Sequence, residues 1–301
     1  MNKANNFAAK YLLSLLPKFK EVDKNISKYT IRTSASADTK FARGWMHVLE
    51  HDNAGAILLS FDLKTYRVSK LLVLTKRLEM GDLVDAYVAD NEVKEITLIN
   101  GQNANTFERR NTFDKKQTNQ PDIIVNLWKD KISLGSRVIV SCDKTFNRVK
   151  AIAESTQNSF LFKIALLIDE QDNSVKFLTE NKIDEVYMNV SSLNSKEQLA
   201  LCLQAFFSAK YHASNNKNVI FFVDNLSKIF KIYNKCACGE TTMGQMNESA
   251  VNDLKHMFLS AKQFADDGSL TIVKFINKPT NYRDEFLYEE FTDIANKIIE
   301  M

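Results

Sequence analysis

Two acidic residues each follow a run of apolar residues, and such positions can carry metal and nucleotide chemistry. Asp224 directly follows the five apolar residues Val219–Val223, and Glu170 ends the segment FKIALLIDE, Phe162–Glu170. Runs of this kind are typical of strands buried on both faces of a parallel sheet. Open α/β sheets bind ligands outside the carboxyl ends of their strands, which gives Asp224 the position of a Walker-B aspartate that binds the Mg²⁺ of a nucleotide. The alternative is that Asp224 caps the helix predicted at Leu226–Tyr233.

A nucleotide site also needs a loop that binds phosphate, and the segment in the corresponding position lacks the residues for it. A phosphate loop reads GxxxxGK[ST]: its glycines let backbone N–H groups surround the phosphates, its Lys neutralises charge, and its Ser or Thr binds Mg²⁺. Residues 141–150 read SCDKTFNRVK, with no glycine, and Asp143 adds negative charge. Lys144 and Arg148 stand outside the motif frame. We therefore expect an ordinary turn between a strand and a helix, in which Lys144 and Arg148 are remnants of a nucleotide site.

The elements that would position these residues alternate between strand and helix. Segment 190–212, VSSLNSKEQLALCLQAFFSAKYH, reads as an amphipathic helix capped near Ser195, and it lies between the two acidic strands. A helix between two apolar strands forms a βαβ unit with parallel strands and a right-handed crossover. We therefore predict one largely parallel sheet that contains the segments Ser136–Val140, Ile164–Ile168, Val219–Val223 and Leu270–Phe275.

Residues 41–99 read instead as short strands separated by turn residues. The candidate strands are GWMHVLE, AGAILLSFD, YRVS, LLVLT, DLVDAYV and VKEITLI. Several short strands at this spacing predict a small β-barrel. Two aromatic residues that could stack on bases and four cations that could contact phosphates are the candidate RNA-binding residues: Phe61, Tyr66, Lys64, Arg67, Lys76 and Arg77. The alternative is that these side chains pack along the barrel surface.

Residues 1–40 read as a helical arm with basic character. Apolar residues recur at helical spacing from Phe7 to Leu16, and Pro17 ends or kinks the predicted helix. The arm carries eight basic residues against three acidic ones. It could dock on a neighbouring domain or contact phosphates, and docking is the favoured interpretation.

The composition of the chain excludes few classes of protein. The 301 residues carry a net charge of +3, which permits a nucleic-acid partner without arguing for one. No stretch reaches about 20 apolar residues, and residues 8–20 do not form a convincing signal peptide, so we expect a cytoplasmic protein with no membrane partner. Cys236 and Cys238 form a CxC pair, but no second close pair follows, so we expect no metal site.

The stretch Val219–Asn234, VIFFVDNLSKIFKIYN, resembles the Walker-B strand and the following helix of the transcription termination factor Rho family. The likeness continues in order: ACGETTMGQMNESAV resembles the family's central-channel loop, DDGSLTIVKFI its next sheet strand, and RDEFLYEEF its DEVIYEEF segment. Nearer the N-terminus, MGDLVDAYV resembles the strand that closes the family's OB-fold RNA-binding domain. The resemblance implies an α/β fold, a degenerate RecA-like P-loop ATPase fold, preceded by a small all-β OB-fold barrel.

The resemblance also implies roles for single residues, and the chain departs from the family at several of them. Glu170 has the place of a glutamate that polarises the attacking water, and Phe291 that of an aromatic that stacks on adenine. Gln171 stands in place of an arginine, and Glu240 in place of a channel lysine that grips RNA. The chain also stops before the family's arginine-finger segment. We therefore expect Glu170 and Asp224 to be vestigial catalytic residues, and Phe291 to be a vestigial nucleotide contact.

Four segments and one function follow from these patterns. The predicted segments are an arm at 1–40, an OB-fold, cold-shock-like domain at 41–99, a connector at 100–121 and a RecA-like domain at 122–301. Ala56 and Ile57 stand where the family has an aromatic strand, so we expect RNA to bind weakly, with little contribution from base stacking. We expect a Rho-like, transcription-associated protein that has lost ATPase and helicase activity and acts as an RNA-binding or protein-docking scaffold.

Two alternative functions stay open. One is an active RNA-dependent ATPase and helicase that terminates transcription, with ATP and Mg²⁺ as cofactors, whereas the favoured scaffold needs no cofactor. The other is a purely structural subunit of a larger assembly. The expected partners are RNA or a transcription- or ribosome-associated complex, and the RecA-like domain could form homo- or hetero-oligomers.

Overall fold

The computed structural model describes residues 39–48, 56–107, 123–155, 158–189, 192–237, 241–242, 246–264 and 268–301. The chain divides into two compact units, Met1–Glu108 and Arg109–Met301. Most of the predicted arm and of the predicted connector lies outside the described residues, so the four predicted segment boundaries stay predictions.

The first unit contains a small β-barrel. Its elements are β1 (Lys40–Val48), β2 (Ala56–Ser60), β3 (Thr65–Val68), α1 (Lys70–Lys76), β4 (Leu83–Ala89), β5 (Glu92–Ile99) and β6 (Gln102–Asn103). Strand β1 pairs antiparallel with β2 and β4, β2 with β3, and β4 with β5. A parallel contact between β3 and β5 closes the barrel in the order β1-β2-β3-β5-β4. This closed five-stranded barrel confirms the expected OB-fold.

The alternation of buried and exposed side chains explains why these segments close into a barrel. The fully buried side chains of its core include Met46, Leu58, Val84 and Ile99. Gly44 lies where β1 runs very close to β2: a Cβ there would lie 2.1 Å from the backbone oxygen of Leu59, so only glycine fits. The core continues beyond β5, because β6 pairs with β5 and Ala104 packs with the other core residues.

The second unit is an α/β unit that begins with a β-hairpin. The hairpin strands are β7 (Ile124–Leu127) and β8 (Asp130–Ser133). The first half of the main sheet and its helices follow: β9 (Arg137–Cys142), α2 (Arg148–Ala153), β10 (Leu161–Ile168), α3 (Asp172–Glu180), β11 (Glu185–Asn189), α4 (Ser195–Ser214) and β12 (Asn218–Asp224). The remaining elements are α5 (Leu226–Cys236), β13 (Thr241–Thr242), β14 (Met246–Asn247), α6 (Glu248–Leu259), β15 (Lys262–Gln263), β16 (Ser269–Asn277), α7 (Tyr282–Thr292) and β17 (Lys297–Glu300).

The main sheet has the strand order β11-β10-β12-β16-β9-β17, and all these neighbours are parallel. The four segments predicted to share a parallel sheet lie in β9, β10, β12 and β16, so that prediction is confirmed. Among the described strands of this sheet, the short β15 alone pairs antiparallel, with β16. Because β16 lies between β9 and β12, the loop after β9 and the end of β12 meet across the carboxyl end of β16.

Asparagine side chains cap the helices that follow β11 and β12. Helix α4 begins with a capping box, in which the Asn194 side chain accepts from the backbone of Glu197 while the Glu197 side chain accepts from the backbone of Asn194. Helix α5 is capped by Asn225, whose Oδ1 accepts from the backbone N–H groups of Ser227 and Lys228. The cap of α5 is therefore the residue after Asp224, and the alternative that Asp224 caps this helix is wrong.

Candidate functional site

Asp224 and Arg148 meet at the carboxyl edge of the sheet. Asp224 is the last residue of β12 and is fully buried, while Arg148 is the first residue of α2. Nε of Arg148 lies 3.4 Å from Oδ1 of Asp224. The Arg148 guanidinium also donates to Oδ1 of Asn277 at the end of β16, and the Asn225 side chain donates to the same oxygen from 3.1 Å. Asn277 therefore links the Arg148 guanidinium to Asn225, the residue after Asp224.

The surroundings of Asp224 disfavour its charged, deprotonated form. Burial raises the pKa of Asp224 to about 6, the positive charges of Arg148 and Lys228 oppose that rise, and the negative charge of Glu170 adds to it. Within the described part of the chain, neither carboxylate oxygen of Asp224 accepts a hydrogen bond. The ion pair with Arg148 is therefore the closest compensation for this buried charge.

Glu170, which follows β10, is countered by a cation of the same unit. Nζ of Lys228 on α5 lies 4.0 Å from Oε1 of Glu170 and donates to the backbone oxygen of Ile168 from 2.7 Å. The next residue, Gln171, stands at the start of α3, and its side chain makes no capping hydrogen bond. The two predicted catalytic acids thus lie at the same sheet edge, each beside a basic residue of this chain.

The loop between β9 and α2 has no left-handed residue. None of the positive-φ residues falls between positions 143 and 147. A phosphate-binding nest needs successive right- and left-handed residues so that backbone N–H groups converge on the anion. Instead, the Asn147 side chain caps α2 by accepting from the backbone of Lys150, and Asp143 pairs with Lys278 across 3.4 Å. Lys144 is exposed in this loop.

Phe291 lies inside the unit, on α7. Its ring is fully buried and lies 5.9 Å from that of Phe258. The buried amine of Lys274, in the middle of β16, lies 4.7 Å from the Phe291 ring centre and donates to the backbone oxygen of Leu254 from 3.1 Å. Burial lowers the pKa of Lys274 to about 7. The predicted adenine contact is thus an aromatic that packs on a lysine of this chain.

The predicted RNA-binding residues of the first unit fall on the β2–β3 hairpin and on α1. The half-buried ring of Phe61 packs on Trp45. Lys64 is exposed and pairs with Asp62 at 2.7 Å, a hydrogen bond that raises the pKa of Lys64. Tyr66 packs against the barrel core and burial raises its pKa, whereas its neighbour Arg67 is exposed. Successive residues of a strand face opposite sides, so Tyr66 and Arg67 do not share a binding face.

The end of α1 carries the remaining two predicted residues. Nζ of Lys76 donates to the side-chain oxygen of Asn105 from 2.6 Å, so this cation contacts the barrel itself. Arg77 ends the helix in the left-handed conformation and its side chain is exposed. Glu240, at the predicted channel position, lies outside the described residues, as does part of the segment at 237–251.

Several residues of the site were not singled out from the sequence. Asn277, Lys228 and Lys274 carry no motif signal, because each contacts residues that are distant in the sequence. Asn225 does carry a local signal, since an asparagine directly before the predicted helix is a favoured cap. In the described residues, no cluster of three or more His, Cys, Asp or Glu side chains could hold a metal ion. The same residues include no helix that is long and apolar enough to cross a membrane.

Two solved structures resemble the fold. An ATPase from the type III secretion system of pathogenic bacteria matches with a TM-score of 0.51 and 15% identity, covering 57% of this chain and 52% of that one. An ATP synthase subunit from Nanoarcheaum equitans matches with a TM-score of 0.52 and 11% identity, covering 67% of this chain and 58% of that one. Together with the strand order, these likenesses define the second unit as a RecA-like ATPase fold.

Proteins with similar sequences indicate which protein with a RecA-like fold this chain resembles. Transcription termination factor Rho of Borreliella burgdorferi is 25% identical over 223 residues, covering 67% of this chain and 43% of that protein. The Rho proteins of Streptomyces coelicolor and Karelsulcia muelleri are 24% and 23% identical, covering 76% and 69% of this chain and 60% and 61% of their own lengths. No protein-family model matches the chain. The chain is a distant homologue of transcription termination factor Rho that spans about half the length of these relatives.

Proposed function

We propose that this protein is a Rho relative that does not hydrolyse ATP and that acts in transcription as an RNA-binding scaffold. The observation that carries the proposal is the ion pair between Arg148 and Asp224. An aspartate in this position needs its oxygens free to bind Mg²⁺, directly or through water. Here a guanidinium of the chain itself stands beside them, and Asn277 accepts a hydrogen bond from the same guanidinium.

The loop before Arg148 supports the same conclusion. Without a left-handed residue between positions 143 and 147, the backbone forms no cradle for phosphate oxygens. The carboxylate of Asp143 lies in this loop and pairs with Lys278 across 3.4 Å, so this lysine already has an anionic partner in the chain. The residues present therefore do not fit a Mg²⁺-nucleotide complex, and no catalytic step is assigned to them.

The pairing of Glu170 adds a second reason. A glutamate that polarises water works as an unpaired base near the reacting phosphate. The ammonium of Lys228 lies 4.0 Å from Glu170 and is itself held by the backbone oxygen of Ile168. A carboxylate that faces a cation fixed in this way is not the unpaired base that this role needs.

RNA binding by the barrel is the other half of the proposal. Tyr66 is partly buried against the core, and Lys64, Arg67 and Arg77 are the exposed candidates to contact phosphates. Contacts of this kind give weak, sequence-independent and salt-sensitive binding. Oligomer formation through the RecA-like unit is part of the proposal as well, because the Rho relatives match 67–76% of this chain at 23–25% identity.

The test is ATP hydrolysis by the purified full chain, with and without oligouridine RNA. The expected result is no turnover above background in either case. An Asp224→Asn variant separates an intrinsic activity from a contaminant, because only intrinsic hydrolysis depends on Asp224. Turnover near ~1 s⁻¹, the low end of ordinary enzymes, that disappears in Asp224→Asn would show an active ATPase and overturn the proposal.

A further inference from the structure

The amino edge of the main sheet carries a polar network that we call the amino-edge network: Glu185, Tyr187, Ser208, His212 and Lys217. Its centre is Glu185, the first residue of β11, which is 7% exposed. Oε2 of Glu185 accepts hydrogen bonds from the Ser208 hydroxyl at 2.5 Å and from the Tyr187 hydroxyl at 3.0 Å. Oε1 of Glu185 accepts from Nε2 of His212 at 2.8 Å. Both oxygens of this buried carboxylate therefore have donors.

His212, near the end of α4, joins this carboxylate to a cation. Nδ1 of His212 lies 3.2 Å from Nζ of Lys217, the residue directly before β12. A lysine ammonium donates hydrogen bonds and cannot accept them, so Nδ1 is the acceptor and the ring proton is on Nε2, which donates it to Glu185. These contacts assign one tautomer to the ring, and they require His212 to be neutral.

The Lys217 side chain has a second contact, while its backbone is fixed separately. Its ammonium lies 3.8 Å from the centre of the Phe162 ring on β10, and the Phe162 and His212 ring centres are 4.2 Å apart. The backbone N–H of Lys217 donates to the backbone oxygen of His212, and its carbonyl accepts from the N–H of Ser269, both at 3.1 Å. The side chain can therefore move without displacing the strand that follows.

Other groups at this edge do not replace the two partners of His212. Lys163 follows Phe162 on β10, so its side chain points to the opposite face of the sheet. The Asp184 carboxylate accepts from the backbone N–H of Lys163 at 2.7 Å. The ring of Tyr211 meets the His212 ring edge-on, with 5.6 Å between the ring centres. The charged groups that contact the imidazole directly are thus the carboxylate on one side and the ammonium on the other.

The carboxylate of this network stays charged in the pH range in which histidines titrate. Burial alone would raise the pKa of Glu185, but the interactions with His212, Ser208 and Tyr187 outweigh burial and hold that pKa below its ordinary value. Burial raises the pKa of Tyr187 well above its ordinary value, so its hydroxyl stays a donor. An imidazole ordinarily titrates between about pH 5 and 8. The protonation of the network near neutral pH is therefore decided at His212.

We propose that the amino-edge network is a switch that releases the Lys217 side chain when His212 takes up a proton from solvent. A proton on Nδ1 removes the lone pair that accepts from Lys217, and it places a second positive charge about 3 Å from the ammonium. The ammonium then leaves both His212 and the Phe162 ring for solvent. The protonated imidazole stays in place, because Nε2–H still donates to the Glu185 carboxylate.

This switch goes beyond the proposed scaffold function and uses none of the residues on which that proposal rests. It lies at the amino edge, whereas Asp224 and Arg148 meet at the carboxyl edge of the same sheet. Acidification adds one positive charge to the amino edge and exposes a second. The presence of ATP hydrolysis or the absence of RNA binding would leave this inference in place.

The test is an NMR titration of the full chain, labelled with ¹⁵N in histidine and with ¹³C at Cε of lysine, from about pH 9 to about pH 5. The chain has four histidines, and the signals of His212 are those that are absent in His212→Gln. At the alkaline end the ring should show the Nε2–H tautomer. The Hε signals of Lys217, identified by their absence in Lys217→Met, should be shifted upfield by the Phe162 ring and should lose this shift in step with protonation of His212.

Removal of the competing cation should make His212 easier to protonate. Lys217→Met should raise the pH midpoint of the His212 titration by about 0.5–1 unit, because no ammonium then opposes the proton on Nδ1. Lys210→Met is the matched control, since it removes another lysine of α4, whose ammonium lies 5.6 Å from the centre of the Phe206 ring. This control should leave the midpoint unchanged. Circular dichroism checks that both variants are folded.

Four outcomes would overturn the proposal. The first is an Nδ1–H tautomer of His212 at the alkaline end, because the ring could not then accept from Lys217. The second is a His212 ring that stays neutral down to about pH 5. The third is a set of Lys217 Hε signals that keep their upfield shift after His212 is protonated. The fourth is the same His212 midpoint in Lys217→Met as in Lys210→Met.

Discussion

Nε of Arg148 lies 3.4 Å from Oδ1 of Asp224, at a sheet edge where related folds bind nucleotides. Arg148 comes from the helix after β9, and Asp224 ends a strand that is not adjacent to β9 in the sheet. The pair therefore links three strands, because Asn277 on the intervening strand also accepts from the guanidinium. A cation that belongs to the chain thus lies beside the buried aspartate and compensates part of its charge.

Removal of this guanidinium should destabilise the protein. In Arg148→Met the Asp224 carboxylate stays buried without its ion pair, and breaking a buried pair costs about 3 kcal/mol or more of the free energy of unfolding. Urea unfolding measures the change. The double variant Arg148→Met/Asp224→Leu should recover most of the loss, because no unpaired charge remains.

Lys150→Met on the same helix is the control. It breaks only the exposed pair with Glu154 and should change stability by less than about 0.5 kcal/mol. Equal unfolding midpoints for Arg148→Met and the unmodified protein would contradict this account.

Asp224 should make stability depend on pH in an unusual direction. Its pKa is raised to about 6 in the folded protein, from an ordinary value of 3.8, so between these pH values the folded state binds more protons than the unfolded state. Its contribution to stability is therefore present below about pH 4 and is lost as pH rises through 6. Relative to Asp224→Asn, the unmodified protein should lose about 3 kcal/mol of stability between pH 4 and 7, at about 1.4 kcal/mol per pKa unit. A difference between the two proteins that stays constant over this range in urea titrations would rule out the shift.

Lys274 should act in a separate pH range. Burial lowers its pKa to about 7 from 10.5, so between these values the unfolded state binds more protons than the folded state and stability rises with pH. Lys274→Met should therefore be more stable than the unmodified protein near pH 7, and the gap should shrink by about 3–5 kcal/mol toward pH 10. Lys176→Met, an exposed lysine paired with Glu180, is the control and should show no such trend. Loss of stability in Lys274→Met at pH 7 would mean that the contacts of the amine with Phe258 and Phe291 outweigh its burial.

The sheet could be predicted from the sequence because its strands are buried on both faces. A run such as Val219–Val223 predicts a strand that is buried on both faces. The polar residue that follows such a strand is then expected at the carboxyl edge of the sheet. The contacts at that edge could not be predicted in the same way. Arg148 meets Asp224 across the carboxyl end of β16, which lies between β9 and β12 in the sheet. No local sequence pattern specifies this strand order.

In the barrel, too, the contacts between strands could not be predicted from the sequence. Most of its strands were predicted from alternation and turn residues, but the prediction of LLVLT as a strand was wrong, because Ser69 caps a helix there, α1. The first strand was expected to begin at Gly44, whereas β1 begins at Lys40. The four additional residues bring Phe41 into register with Tyr87. An exposed aromatic pair across two strands is visible only once that register is known. The roles of Lys64, Arg67 and the other predicted RNA-binding residues stay predictions.

RNA binding should be weak and should fall steeply with salt. With Tyr66 packed against the barrel core and Phe61 half-buried against Trp45, we expect phosphate contacts to carry the affinity, and a dissociation constant of about 10⁻⁴–10⁻⁶ M is typical of such binding. Arg67→Gln should reduce the slope of log affinity against log salt by about 0.7, the contribution of one phosphate contact to a single strand. Lys64→Gln should have a smaller effect, since Asp62 already neutralises that cation. Tyr66→Phe should leave affinity unchanged.

Oligouridine titrations at four salt concentrations measure these slopes, with Lys150→Gln in the RecA-like unit as the matched control. Glu240→Lys should leave affinity unchanged or raise it slightly, because it replaces a repulsive charge with an attractive one. Affinity that is insensitive to salt would mean that base stacking carries binding after all. Binding that is lost only on changes within residues 237–251 would move the RNA path to the RecA-like unit, and Arg67→Gln would then leave the salt slope where it was.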